Sequence, residues 1–262
     1  MIRFALSLPV LCFASLAFGQ AQTPTAPAVN PGRPTVTDVA SLTQPGYLEL
    51  EAGLSYLTGS GIDYQYGGSF LFKLTDKSAL DEFRLSTNGY IFQRADGGDK
   101  AKGLSDTVLG FQRLLSSQGG NGFDTAIRLE TKLPTAPDTI GTGKTDFNVL
   151  LLASKDFTDR FHADFNLGDA FLGRPENGKY TSQGFASAAC SYKVSPTLAL
   201  QTELYGFAGN SLNATNVGNG YAVAYSPRPD QVFDAYIGFG LSSGAPRYFV
   251  TFGYTCFLAK LF

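Results

Sequence analysis

From residue 47 onward, apolar and polar positions alternate along the chain in twelve successive segments. Side chains two apart share one face of a strand, so this spacing predicts twelve β-strands, each with one apolar and one polar face. In 47–57, Leu48, Leu50, Ala52 and Leu54 oppose Glu49, Glu51, Gly53 and Ser55. Segment 65–74 puts Tyr66, Phe70 and Phe72 together, and 82–92 sets Phe83, Leu85 and Ile91 against Arg84, Ser86 and Asn88. Alternation is weaker in 104–115 and clearest in 123–133, where Ile127, Leu129 and Leu133 oppose Arg128, Glu130 and Lys132. Segment 144–156 carries Phe147, Val149 and Leu151 against Asp146 and Asn148; 160–170 carries Phe161, Phe165 and Leu167 against His162, Asp164 and Asn166. The remaining segments are 180–193, 197–206 (with Glu203 on the polar face), a glycine-rich 218–226, 231–241 (with Asp234) and 247–258.

Charges at mid-strand decide between two all-β architectures. A soluble sandwich would bury Arg, Glu, Lys and Asp in an apolar core. A transmembrane antiparallel up-and-down barrel of about twelve strands lets those charges line a lumen while the other face meets lipid. Lipid cannot hydrogen-bond a backbone, so such a sheet must close on itself. The connections agree: those at 134–143, 171–179 and 207–217 are long, whereas 157–159, 194–196 and 227–230 are tight turns. Two further long connections are expected at 58–64 and 93–103. An even strand count with long loops on one side is the outer-membrane pattern, which places both chain ends in the periplasm.

The N-terminal region changes the picture in two ways. Arg3, the apolar run of residues 4–18 and the small residues Ala17 and Gly19 form a secretory signal peptide over residues 1–19. Residues 20–45 are rich in Pro, Thr and Ala with no apolar period, and are expected to be a disordered periplasmic lead-in before a barrel spanning 46–262. A net charge of −2 gives no case for nucleic acid. Cys190 and Cys256, the cysteines beyond the signal, are too sparse for a disulfide framework and read as apolar side chains.

Gly141-Thr-Gly-Lys-Thr145 has the look of a phosphate-binding loop. Such a loop needs a glycine five residues before the Gly-Lys pair and a helix after it. Asp138 occupies that place and strand spacing follows, so no nucleotide and no other cofactor is expected. Together with GLSDTVLG (103–110), RLETKLPT (128–135) and FHADFNLG (161–168), the stretch GTGKTDFNVLLLASKDF (141–157) resembles the outer-membrane transporter family named for the MetA pathway of phenol degradation. The resemblance implies an outer-membrane barrel of Gram-negative bacteria that takes up small compounds, often aromatic or hydrophobic. It also implies a strand ending at Phe257 with a short tail after it.

Expected partners are therefore outer-membrane lipid, a small-molecule solute and the barrel-assembly machinery during insertion. Catalysis is not expected. His162 is the one histidine; its neighbour at strand spacing is Asp164 rather than a serine, and neither a second His nor a Cys lies nearby to complete a metal site. The leading reading is a channel for passive or selective uptake; the alternative is a non-conducting surface protein whose outer loops bind a partner. Leu50, Leu54, Phe70, Phe72, Leu129, Phe165 and Phe252 are expected to face lipid, and Arg128→Leu, a lumen change, to be better tolerated than Leu129→Arg. Hairpin pairing sets Lys132 opposite both Asp106 and Asp146, predicting an inner-wall cluster that either locks strand register or filters solutes. Arg84, Arg128, Glu130, His162, Asp164, Glu203 and Asp234 are expected elsewhere on the lumen wall.

Overall fold

The computed structural model describes residues 27–118, 122–174 and 178–262, and the signal-peptide expectation lies outside them. Fourteen strand segments build the wall: β1 (Tyr47–Gly59), β2 (Ile62–Thr75), β3 (Asp81–Thr87), β4 (Tyr90–Ala95), β5 (Lys100–Leu104), β6 (Thr107–Ser116), β7 (Asp124–Leu133), β8 (Asp146–Asp156), β9 (Phe161–Gly173), β10 (Tyr180–Ser195), β11 (Leu198–Phe207), β12 (Asn216–Arg228), β13 (Gln231–Gly240) and β14 (Tyr248–Lys260). β3 continues into β4 and β5 into β6 across two-residue breaks, which makes twelve wall strands. β1 pairs with both β2 and β14, closing an antiparallel barrel.

The alternation sets the faces. Leu54, Phe70, Leu129, Phe165 and Phe252 stand exposed on the outer surface, and Leu50 and Phe72, which pair with each other, share that parity. Cys190 and Cys256 are free and lie on outward positions. In water so much apolar surface would drive association; in hydrocarbon it is the solvated face.

Three local expectations are corrected. Ile91 does not join Phe83 and Leu85 outside: it is buried on the inner face. Phe70 pairs with Thr87 but Tyr66 with Phe92, so one extra residue sits in the break, where Gly89 adopts φ +58°. A single extra residue exchanges the two faces of everything beyond it. The break between β5 and β6 lies alongside and flips with it, joined by the Ser105 N–H donating to the Gly89 carbonyl at 2.7 Å. Second, the connections expected over 58–64 and 93–103 are short, because β1 and β2 run on to a tight Ser60-Gly61 turn and β4 and β5 are joined by residues 96–99. Third, β14 does not stop at Phe257. It reaches Lys260 through a bulge in which Leu48 pairs with Ala259 and Glu49 with Phe257.

The largest departure is inside. Residues 27–45 are not a disordered lead-in; they run through the lumen as a plug. The segment has no period of its own, so its backbone finds partners on the wall instead. Eight consecutive-region N–H groups, those of Asn30, Gly32, Arg33, Val36, Thr37, Asp38, Ala40 and Thr43, donate to Glu49, Glu51, Glu51, Glu203, Glu203, Asn166, Ser154 and Glu82 respectively at 2.7–3.1 Å. Most of these acceptors are carboxylates, the stronger class of hydrogen-bond acceptor.

Candidate functional site

The expected lumen residues sort into three groups by height. Near the long-loop end, Lys132 Nζ lies 2.8 Å from Asp146 Oδ2 and 3.2 Å from Asp106 Oδ2. Lys132 and Asp146 face each other in the β7–β8 ladder, as antiparallel pairing predicts. Asp106 sits diagonally, since Lys132 pairs with Val108 and Asp106 occupies the break between β5 and β6. Both carboxylates also accept backbone N–H groups, from Ala136 and Gly173, each at 2.8 Å. The cluster thus ties three strand ends to the 134–145 connection.

At mid-height, plug and wall meet in a charged network. Asp38 receives Arg128 Nη1 at 2.5 Å and Arg84 Nη2 at 3.0 Å. Burial opposes charge on Asp38, but the two guanidiniums outweigh it and hold the carboxyl well below the usual range. Arg84 also bonds Glu82 at 3.0 Å, and Arg128 Nε donates to Gln112 at 2.7 Å. Lower down, buried Lys73 lies 2.8 Å from Glu49 and 2.6 Å from Glu51. Asp234 holds Arg33 of the plug at 3.2 Å, and Glu203 takes two of its backbone N–H groups.

His162 stands at the short-turn end with both ring nitrogens occupied, Nδ1 by Asp156 at 2.8 Å and Nε2 by Asp164 at 3.0 Å. Ser154 bonds Asp164 rather than the imidazole, at 2.5 Å. A nucleophile–base hydrogen bond, the first geometric requirement of acyl-transfer chemistry, is not formed by this group.

Two features of the lumen escaped the pattern of the sequence. One is the plug. The other is a cavity of about 380 Å³ between the plug and β7–β11, bordered by Asp38, Arg128, Glu130, Asn148, Leu172, Phe185 and Phe207 among others. Phe185 and Phe207 pair across β10 and β11 with ring centroids 4.7 Å apart. The available signal was their parity: Phe185 shares its face with Gln183 and Ser187, and Phe207 with Glu203, so both are aromatics on a polar face. Farther round the wall, Tyr236 and Tyr205 lie over Gly220 and Gly218, which explains the glycines of β12: a Cβ there would collide with the rings.

Residues 31–256 match the family model described as "Putative MetA-pathway of phenol degradation". No curated protein matches the sequence. Among solved structures, the barrel is similar to the COG4313 outer membrane channel from Pseudomonas putida F1, with a TM-score of 0.68 at 12% identity over 88% of this chain and 100% of that one. It is also similar to the NanC porin, with a TM-score of 0.56 at 11% identity over 81% of this chain and 100% of that one.

Proposed function

Because the chain belongs to the MetA-pathway phenol-degradation family and forms a closed barrel with an apolar outside and a charged lumen, we propose that it is an outer-membrane channel for small solutes. The observation that carries this reading is the lumen itself. Its wall presents polar and charged groups to cavities of about 380 and 360 Å³ on the long-loop side of the plug, large enough for small molecules. Two of the solved barrels similar in fold to this one are described as a channel and a porin. Lipid surrounds the apolar face, and the barrel-assembly machinery inserts it. The occupied nitrogens of His162 favour a structural role for that residue, and we read the protein as a transporter without catalytic activity.

The plug narrows the route. Solute enters between the long loops, reaches the cavity above Asp38, and passes the plug where that segment shifts from the wall. The refolded full-length protein should give small, discrete conductance steps in planar bilayers, enlarged when residues 27–45 are deleted. A folded, inserted barrel that stays silent with and without the plug would instead support the non-conducting surface protein.

A further inference from the structure

We propose that the second lumen cavity, at the long-loop end between β2, β4, β6 and the 134–145 connection, binds an uncharged polyhydroxyl molecule the size of one sugar, with Gln65 and Gln93 reading its hydroxyls. This rests on the channel reading, which it deepens by naming a class of solute.

The cavity follows from the strand inversion at Gly89. Beyond that break Ile91 and Gln93 turn inward, and Gln93 stands directly opposite Gln65 in the β2–β4 ladder. Directly opposed Cβ atoms lie about 5 Å apart, so two carboxamides reach the cavity side by side. Among the described residues neither side chain finds a hydrogen-bond partner, and both are half-buried with polar atoms open to the cavity. The Ser86 hydroxyl, on the same wall, is open and unpartnered in the same way. A carboxamide carries donors and an acceptor together, and a hydroxyl both donates and accepts. A molecule with hydroxyls on successive carbons therefore engages both glutamines at once.

Charge is disfavoured by the way the two ions at the border are engaged. A lysine has three protons to donate. Those of Lys132 face Asp146 at 2.8 Å, Asp106 at 3.2 Å and Thr142 Oγ1 at 2.9 Å. Asp106 in turn holds Lys132 through Oδ2 and the Ala136 N–H through Oδ1. A charged solute would enter without a counter-ion. The same contacts order the roof, where the Ile140 and Gly141 N–H groups both donate to the Pro137 carbonyl, at 2.8 and 2.9 Å. A rim already ordered loses less freedom on binding. Ile91, Val108 and Ile140 add apolar surface, which suits the C–H faces that a sugar ring shows between its hydroxyl edges. The volume of about 360 Å³ stands near the lower end of the ~300–1,000 Å³ of small-molecule sites, which limits the ligand to one ring.

The test is equilibrium binding of glucose, glucuronate and cyclohexanol to the refolded full-length protein, in a detergent without a sugar headgroup and with folding checked by heat-modifiable gel mobility. Glucose should bind at least about fivefold more tightly than either of the others. Gln65→Leu and Gln93→Leu should each lower its affinity about five- to tenfold, the effect of losing one or two neutral hydrogen bonds. Gln183→Leu, in the cavity above Asp38, should leave it unchanged. Where one leucine variant fails the mobility check, the other carries the measurement. Equal affinity for all three compounds, or glucose binding indifferent to the leucine variants, would overturn the site. Absence of glucose binding to a folded protein that conducts would overturn the site and leave the channel intact; glutamine-dependent binding to a barrel that never conducts would uphold the site and sink the channel.

Discussion

Replacing Arg128 with leucine separates two views of the lumen wall. On alternation alone the change exchanges one inward side chain for another and should be mild. The structure gives the opposite expectation. Arg128 is 4% exposed, bonds Asp38 at 2.5 Å and Gln112 at 2.7 Å, and so joins the plug to β6 and β7. Removing one partner of a buried ion pair generally costs about 3–5 kcal/mol, because a buried charge is left without compensation. Here Arg84 stays 3.0 Å from Asp38 and the Asp38 side chain is 16% exposed, so a loss of about 2–3 kcal/mol follows. The loss should fall on the plug rather than the barrel, since the wall is held by continuous backbone ladders and the plug mainly by side chains. Limited proteolysis of residues 27–45 in the refolded protein measures that local opening, and far-UV circular dichroism in urea measures the barrel. Arg128→Leu should expose the plug many-fold more while the barrel midpoint moves little. Combining it with Asp38→Asn should cost less than the sum of the two, by about 0.5–3 kcal/mol. A plug as protected in Arg128→Leu as in the native protein would refute the argument.

Leu129→Arg, one residue away on the outer face, should destabilise the inserted barrel by about 2–4 kcal/mol in lipid-vesicle unfolding, without exposing the plug. Gly53→Ala would drive a methyl to within 2.5 Å of the Arg33 guanidinium, loosening its grip on Asp234, and should raise single-channel conductance. Lys132→Met should lower stability by leaving Asp106 and Asp146 unpaired. In a folded Asp106→Asn/Lys132→Met/Asp146→Asn variant, unchanged ion selectivity marks the cluster as a register lock and altered selectivity marks it as a filter. Because the Asp38 carboxyl is depressed in the folded protein, its contribution is present above the ordinary carboxylate pKa and is lost only as pH falls through the lowered value. Plug protection against an acid-tolerant protease should therefore persist from pH 7 down to pH 4, and a collapse near pH 6 would count against this ion pair as the latch.

The alternating period of the sequence determined the strands, their faces and the inward charges, because side-chain direction along a strand depends only on position within it. Lys132 and Asp146 could likewise be paired from the sequence, since both border one hairpin whose register follows from its turn. The plug could not be read this way. Residues 27–45 carry no period, and Glu203, Asn166 and Ser154, which hold them, lie 114 to 167 positions away in the chain. Only ring closure brings those side chains around one segment. The inversion at Ile91 depended on where β2 re-pairs after Gly89, a register settled by a neighbouring strand rather than by the residues themselves. Phe185 and Phe207 showed as exceptions on polar faces, but what they border became visible only when the plug, β7 and β8 closed the cavity opposite them. Local alternation is a property of the chain; the contents of a lumen are a property of the closed sheet around it.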